Sequence, residues 1–464
     1  DVFASWQGTS RSRKKLMTLF SQAHNTDSRT ALVRKNIFFS FLFKGWSALI
    51  LFLLVPITLD CLGKYTNGVW MTLSSMLIWI DQMDIGLGRG LQNKLATAMA
   101  NGNEKEARVL VGNTFFMLIA IILPIMFAML LLINCADIYA FLNVDNTEIA
   151  NLASVVSVTL ILVSANFVFK FIGNFYMGLQ LPAVNNLIVA VGQTLILTGT
   201  YIAFYAGFRS LMAIAVINTA APLLVLLATY PYTFWLKYRK LAPQIADFSW
   251  SVARSLFTMG TKFFVLQISG AILFFTSNIL ISRIFTPAEV TPYQIVYRYF
   301  TVITIIFTII STPYWSATTD AYERGDLKWI EDSRRRMNKI MAMLFALVAL
   351  ITIVSPLVFQ IWIRDKAEIP FMLTVCEAVY VIVLNSSLSF SYFINGMGKL
   401  YLQMILTAAA AILFIPLAFL FTDLWYSLNC IILLLSALIL PNLLCNAVQF
   451  KKIVRKTAVG IWNK

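Results

Sequence analysis

Residues 109–134 read VLVGNTFFMLIAIILPIMFAMLLLIN, a nearly unbroken apolar run without a charged side chain. About 20 such residues in a helix cross the roughly 30 Å hydrocarbon layer of a bilayer, so the segment reads as a transmembrane helix. Eleven further runs of this kind occupy residues 36–60, 66–88, 149–178, 183–206, 210–236, 255–284, 293–318, 338–363, 369–395, 399–421 and 424–449. The alternating pattern of membrane β-barrel strands is not seen. The 464-residue chain is 59% hydrophobic and 12% charged, a balance that excludes an ordinary soluble domain. The expected class is an all-α integral membrane protein with twelve transmembrane helices.

Counting Lys and Arg by side orients it. With the N-terminus inside, 27 of the 36 fall in cytoplasmic segments and four inside spans, leaving five in outer loops: Lys64, Arg209, Arg283, Arg364 and Lys366. Both termini are therefore expected in the cytoplasm. The first 35 residues are polar and basic with no visible cleavable signal, so the first span is expected to act as its own insertion signal. The organisation expected is a basic N-terminal segment (1–35), an N-lobe of spans 1 to 6 (36–236), a cytoplasmic linker (237–254), a C-lobe of spans 7 to 12 (255–450) and a basic tail (451–464). The linker, with Lys237, Arg239, Lys240, Pro243, Phe248 and Trp250, reads as a tether with an interfacial amphipathic part. The net charge of +15 follows from this topology and from attraction to anionic lipid, not from nucleic-acid binding.

The two halves echo one another. Ala98-Met-Ala-Asn-Gly102-Asn recurs as Ala321-Tyr-Glu-Arg-Gly325-Asp, Met177-Gly178 as Met397-Gly398, and Lys44 as Lys262, at offsets of 223, 220 and 218 residues. Six spans return the chain to its starting side. A duplicated six-helix unit thus gives two lobes related by a pseudo-twofold along the membrane normal, with the site between them.

Four bases, Lys44, Lys170, Lys262 and Arg298, lie inside spans. A cation near the bilayer centre costs roughly 2.5 to 3.5 kcal/mol on insertion scales, so each is expected to face a wet cavity or a partner, or to snorkel to the surface. Span 8 places Gln294, Tyr297, Arg298, Thr301, Thr304, Thr308 and Thr312 at steps of three or four residues, one polar stripe down a helix. Such hydroxyls either line a lumen or bond back to their own backbone. Asn166 and Asn174 flank Lys170 by four residues each way, and Asp81 and Asp84 share a face near the inner end of span 2. The two acids read as a gate or as an ion pair for a lysine, and Glu377 as an isolated acid satisfied locally.

Enzyme chemistry finds no support. No phosphate-binding Gly-rich loop is present, and Gly86 and Gly88 read as a turn. With His24 the only histidine and no C-x-x-C pair among five cysteines, no metal site is expected. Cys61 and Cys135 fall near outer span ends, where a disulfide is the alternative to buried apolar thiols. No cofactor is expected; turnover would draw on protons, sodium or membrane potential.

The segment Trp79-Ile-Asp-Gln-Met-Asp84-Ile-Gly-Leu-Gly88-Arg-Gly-Leu-Gln-Asn-Lys94-Leu-Ala, with Gly102 and Ala107-Arg108, resembles the signature of bacterial polysaccharide flippases of the Wzx type. Pro287-Ala-Glu-Val-Thr-Pro-Tyr293 is similar to that family too, as are Pro313-Tyr-Trp315-Ser-Ala-Thr-Thr-Asp320-Ala-Tyr322, Gly325-Asp326 and Trp329. The likeness runs from about residue 29 to the end of span 12. It implies a carrier of the multidrug/oligosaccharidyl-lipid/polysaccharide (MOP) superfamily in the bacterial inner membrane. Such a carrier moves undecaprenyl-pyrophosphate-linked oligosaccharides of O-antigen or capsule to the outer leaflet by alternating access. The resemblance also implies a cationic central cavity with a lateral opening at spans 1 and 8, and hence pyrophosphate binding by Lys44 and Arg298, extended to Lys262 by the pseudo-repeat. Lys170 rests on its position alone. A monomer is expected, in contact with membrane lipids and with a polysaccharide polymerase, ligase or chain-length regulator. The two extra C-terminal spans of lipid II flippases are missing. The rivals are an exporter of cationic drugs of the MATE type and a membrane scaffold of polysaccharide assembly.

Overall fold

The computed structural model describes residues 10–81 and 86–463, and side chains from Phe38 onward except at scattered positions. Asp84 lies outside the described residues, and so do the side chains of Asp81 and Lys262. The described chain is helical throughout: α1 Ser10–Asp81, α2 Leu87–Ala100, α3 Glu104–Cys135, α4 Ile138–Leu142, α5 Leu152–Phe169, α6 Phe171–Gly178, α7 Pro182–Tyr205, α8 Leu211–Pro231, α9 Trp250–Ile284, α10 Pro287–Glu323, α11 Leu327–Trp362, α12 Phe371–Gly396, α13 Tyr401–Leu424 and α14 Leu428–Val454. Ten helical stretches are long and apolar enough to cross a membrane. One of them, Phe38–Leu77, has 40 residues, about 60 Å of helix and twice the bilayer core. Gly63, at φ 71°, bends it into two crossings. With the shorter apolar part of α9, Ile268–Ile284, the crossings come to twelve, with α5 and α6 sharing one.

Short polar side chains start several of these helices. Asn103 accepts from Glu106 N, Asp137 from Tyr139 N and Ala140 N, Ser210 from Ala213 N and Asp326 from Trp329 N, each satisfying an amide that the first turn leaves free. Two of these caps expose the internal repeat. Gly102 and Gly325 both take positive φ, 69° and 76°, immediately before Asn103 and Asp326, so helix, left-handed glycine, cap and helix recur at the expected offset of 223. The second echo shifts register. Gly178 packs against Leu95 and Gln92 O, whereas Gly396, not Gly398, packs against Thr318 and Trp315 O. Two residues later Gln180 and Gly398 take positive φ, 60° and 72°. The structural offset is thus 218, the same as for Lys44 and Lys262.

The segment after span 2 is more ordered than a loop. Gly86 makes the expected turn with φ 77°, and Gly88 falls inside α2. Leu87, Leu91, Leu95 and Ala98 are buried, one stripe at helical spacing that seats α2 on α3 and α6. The linker is pinned to the same side. Arg108 Nε lies 2.7 Å from Asp247 Oδ2 and Lys240 Nζ 3.0 Å from Glu104 Oε2. The buried Asn113 donates to Asp247 O at 2.9 Å and accepts from Ser249 N at 2.8 Å. The exposed Lys240 pair contributes little, so the fastening rests on the Arg108–Asp247 pair and on the amide. Asn113→Leu would strand both linker groups, at about 1–3 kcal/mol each. A lower unfolding temperature of the purified protein in detergent is expected, and an unchanged one would refute this role.

Candidate functional site

Three N-lobe helices and both crossings of α1 surround a cavity of about 430 Å³. Its walls are Leu51, Leu54 and Thr58 before the bend of α1, Trp70, Met71, Ser74 and Leu77 after it, Val163 and Asn166 of α5, Gln193 and Ile196 of α7, and Asn218, Thr219 and Pro222 of α8. The remaining wall residue comes from the other lobe and is Arg298 of α10. It sits about 16 Å along the helix from Pro287, near mid-membrane. Its Nη2 donates to Met71 Sδ at 3.3 Å, a weak acceptor. Among the described residues no carboxylate pairs with it, and none lines the cavity.

The neutral wall is rich in acceptors. Asn166 spends its Nδ2 on Leu162 O and Thr219 O, at 3.0 and 2.7 Å, and Asn218 donates to Ile214 O at 2.9 Å. Thr58, Ser74 and Thr219 hydroxyls likewise donate to backbone carbonyls, of Leu54, Met71 and Ala215. Their oxygens keep lone pairs for a guest. The cavity therefore combines one strong cationic donor with a ring of neutral oxygen acceptors.

Of the intramembrane bases anticipated from sequence, the structure brings Arg298 to this cavity. Lys44 is exposed on α1. Lys170 is half-buried at the junction of α5 and α6, its ammonium 5.0 Å from the Phe167 ring centroid. The backbone of Lys262 lies in α9. The polar stripe of α10 is mostly engaged elsewhere: Gln294 donates to Asn278 Oδ1 at 2.7 Å, Asn385 donates to Thr304 Oγ1 at 3.2 Å, and Thr301, Thr308 and Thr312 donate to Tyr297, Ile305 and Thr308 carbonyls. Tyr297 packs near Tyr293, ring centroids 6.2 Å apart. Glu377, expected to be satisfied locally, is 1% exposed, and its Oε1 has no partner among the described residues. All five cysteines are free.

Ion pairs and hydrogen bonds that join the lobes gather at the bundle end away from the linker, while α9 also packs on α2 and α3. Lys64 Nζ is 3.4 Å from Glu289 Oε1, and Lys366 Nζ is 2.6 Å from Asp60 Oδ1. Thr291 donates to Lys64 O at 2.7 Å and accepts from Asn67 at 3.2 Å. Ser282 and Arg283 donate to Leu142 O and Phe141 O, at 2.7 and 2.9 Å. Gly68 permits the closest approach, since a Cβ there would lie 1.7 Å from Pro287 O. Below this seal Asn278 bonds Met71 O and Ser75, roofing the cavity beside Arg298.

No protein-family model matches the chain, and no curated relative does. Solved structures match it along most of their length. An inward-facing multidrug resistance MATE family transporter of the MOP superfamily superposes with TM-score 0.76 at 16% identity, over 89% of this chain and 96% of that one. An outward-facing structure of such a transporter gives TM-score 0.65 at 16% identity, over 92% and 96%. A MATE structure in complex with MaD3S gives 0.64 at 17%, over 92% and 97%. The better match to the inward-facing form agrees with the sealed end just described. This chain is thus a multi-pass membrane protein with the two-lobed, twelve-helix fold of the MATE transporters of the MOP superfamily.

Proposed function

We propose that this protein is a flippase that carries undecaprenyl-pyrophosphate-linked oligosaccharides from the cytoplasmic to the outer leaflet of the bacterial inner membrane by alternating access. The observation that carries this function is Arg298, a cation without a carboxylate partner among the described residues, set in a cavity of neutral amides and hydroxyls where the lobes meet. A guanidinium in a dry site takes a phosphate through charge-assisted bonds that are about twice as strong as neutral ones. The sealed end is then the outer gate. The linker and termini mark the cytoplasmic side, where the head group enters while its polyprenyl tail stays in lipid. Lys44 and Lys262 would meet the pyrophosphate on entry. Lys170 with Asp81 or Asp84 would form the pair that opens and closes the inner end. A polymerase, ligase or chain-length regulator would receive the product.

An exporter of cationic drugs is the other function that the fold accommodates, but an arginine facing the guest would repel such a cargo. The discriminating test is binding to the purified protein of ethidium against a polyprenyl pyrophosphate, read by quenching of tryptophan, since Trp70 lines the cavity. Saturable binding of the pyrophosphate, lost in Arg298→Ala, is expected. Ethidium binding that Asp84→Asn abolishes would exclude a flippase.

Glu377 would couple turnover to an ion gradient, because a buried carboxyl whose Oε1 has no partner among the described residues can take up a proton or cation as hydration changes between states. Glu377→Gln is expected to abolish the acceleration of turnover by an imposed proton or sodium gradient. Full acceleration in the variant would rule the coupling out.

A further inference from the structure

Three amides on three helices converge on the wall of the cavity that faces Arg298: Asn166 of α5, Gln193 of α7 and Asn218 of α8. Each stands near the middle of its span, where a polar side chain is expected to be bonded or to face water. Two of them are fixed by their nitrogens. Asn166 bridges Leu162 O and Thr219 O, and Asn218 holds Ile214 O, so both carbonyl oxygens are held rigidly and remain available. Gln193 makes no side-chain hydrogen bond among the described residues, although its neighbour one position on, Thr194, receives one from Trp46. Its whole amide, two donors and an oxygen, is free for a guest.

We propose that Asn166, Gln193 and Asn218 form a sugar-reading subsite, which takes the hydroxyls of the sugar nearest the pyrophosphate while Arg298 holds the phosphate across the cavity. The inference rests on the flippase function above and assigns the part of the head group that this wall recognises. The chemistry is that of hydroxyl donors meeting amide carbonyls, with the Gln193 amide able to donate in return to ring or hydroxyl oxygens. A cavity of about 430 Å³ lies within the range of about 300–1,000 Å³ of small-molecule sites, enough for the first sugars but not for a long repeat. A bare phosphate would leave the Gln193 amide and the Asn166 and Asn218 carbonyl oxygens without a guest, so glycosylated lipid should be preferred over bare lipid. Sites that hydrogen-bond a substrate hydroxyl reject analogues that lack it strongly.

The test uses the full chain in phosphatidylethanolamine–phosphatidylglycerol vesicles, with two probes: polyprenyl pyrophosphate bearing a neutral hexose tetrasaccharide, and bare polyprenyl pyrophosphate. The readout is the ratio of their flipping rates. Gln193→Leu, which breaks no bond among the described residues, is expected to lower the ratio about tenfold, mainly through KM, and Gln193→Asn to recover part of it. Asn218→Leu should act alike. Arg298→Ala should lower both rates and leave the ratio nearly unchanged. An unchanged ratio in both leucine variants, or a wild-type protein that flips the two lipids equally, would overturn the subsite while leaving the flippase function intact. Wild-type protein that flips neither lipid would overturn both.

Discussion

Arg298→Ala should lower the flipping of a pyrophosphate-linked head group at least a hundredfold and leave the unfolding temperature of the protein unchanged or higher. The two halves of this expectation have separate causes. A pyrophosphate stripped of water needs a donor for each desolvated oxygen, and hydrogen bonds to charged groups contribute about 1.5–3 kcal/mol each. Two of them held by one planar guanidinium therefore amount to about two to four powers of ten in rate or affinity. Stability responds differently, because the only hydrogen bond of Arg298 among the described residues goes to Met71 Sδ. Removing a cation without a carboxylate partner among the described residues from a half-buried place relieves desolvation more than it loses contact. Arg298→Lys keeps the charge but not the fork geometry, and about a tenfold loss is expected. Transport rates and thermal unfolding measured on the same preparations separate a binding role from a structural one. A large fall in unfolding temperature with loss of transport would place Arg298 in the framework instead.

Gly68→Leu should hold the outer gate open. The α1 backbone at Gly68 lies so close to Pro287 O that a Cβ would overlap it at 1.7 Å, and neither partner can move aside without parting the helices. Overpacking of this kind costs about 1–3 kcal/mol. At the upper end it shifts a two-state equilibrium about a hundredfold. The ion pairs of the same seam cannot compensate. Lys64–Glu289 and Lys366–Asp60 are both partly exposed, and such pairs contribute roughly 0–1 kcal/mol each. Spin labels at Lys64 and Glu289 should therefore report a single short distance in the wild type and a longer one in Gly68→Leu, with flipping reduced in proportion. Labels that stay close in the variant would show that the seam does not depend on this approach. Asp60→Asn, by contrast, should change the distance distribution little.

These two residues show what was legible in the sequence. Arg298 announced itself, since a base in an apolar span demands an explanation, and the twelve crossings followed from hydropathy alone. Gly68 carried no such signal; its meaning depends on Pro287, more than two hundred residues away. The outer loops were counted only for the sign of their charge. A count of Lys and Arg takes in Lys64 and Lys366 but not Glu289 and Asp60, the partners that hold both lysines in the seam between the lobes. Asn166 stands out in the sequence by its spacing from Lys170, whereas Gln193 and Asn218 are amides with no charged residue beside them. An amide stands in mid-span on each of two successive helices, but only the packing of α5, α7 and α8 brings the three together. The threonines of α10 gave the opposite lesson. Their periodicity suggests a lumen, yet none of them lines the cavity around Arg298, and Thr301, Thr308 and Thr312 each donate to a carbonyl of their own helix.

The internal repeat was also read correctly in kind and imperfectly in register. Met-Gly pairs matched by letter at an offset of 220, but packing and backbone geometry align Gly178 with Gly396. Letters repeat by chance, while a close helix contact followed by a positive-φ residue is a geometric requirement.

The most direct measurement is flipping by the purified protein in vesicles loaded with polyprenyl-pyrophosphate tetrasaccharide, followed as the fraction of head groups that become accessible to a membrane-impermeant lectin. Wild-type protein is expected to expose the inner-leaflet pool well above protein-free vesicles, and Arg298→Ala to remain at the protein-free level. Wild-type protein no faster than protein-free vesicles, or an Arg298→Ala rate equal to the wild type, would contradict a cationic cavity that carries a lipid-linked sugar.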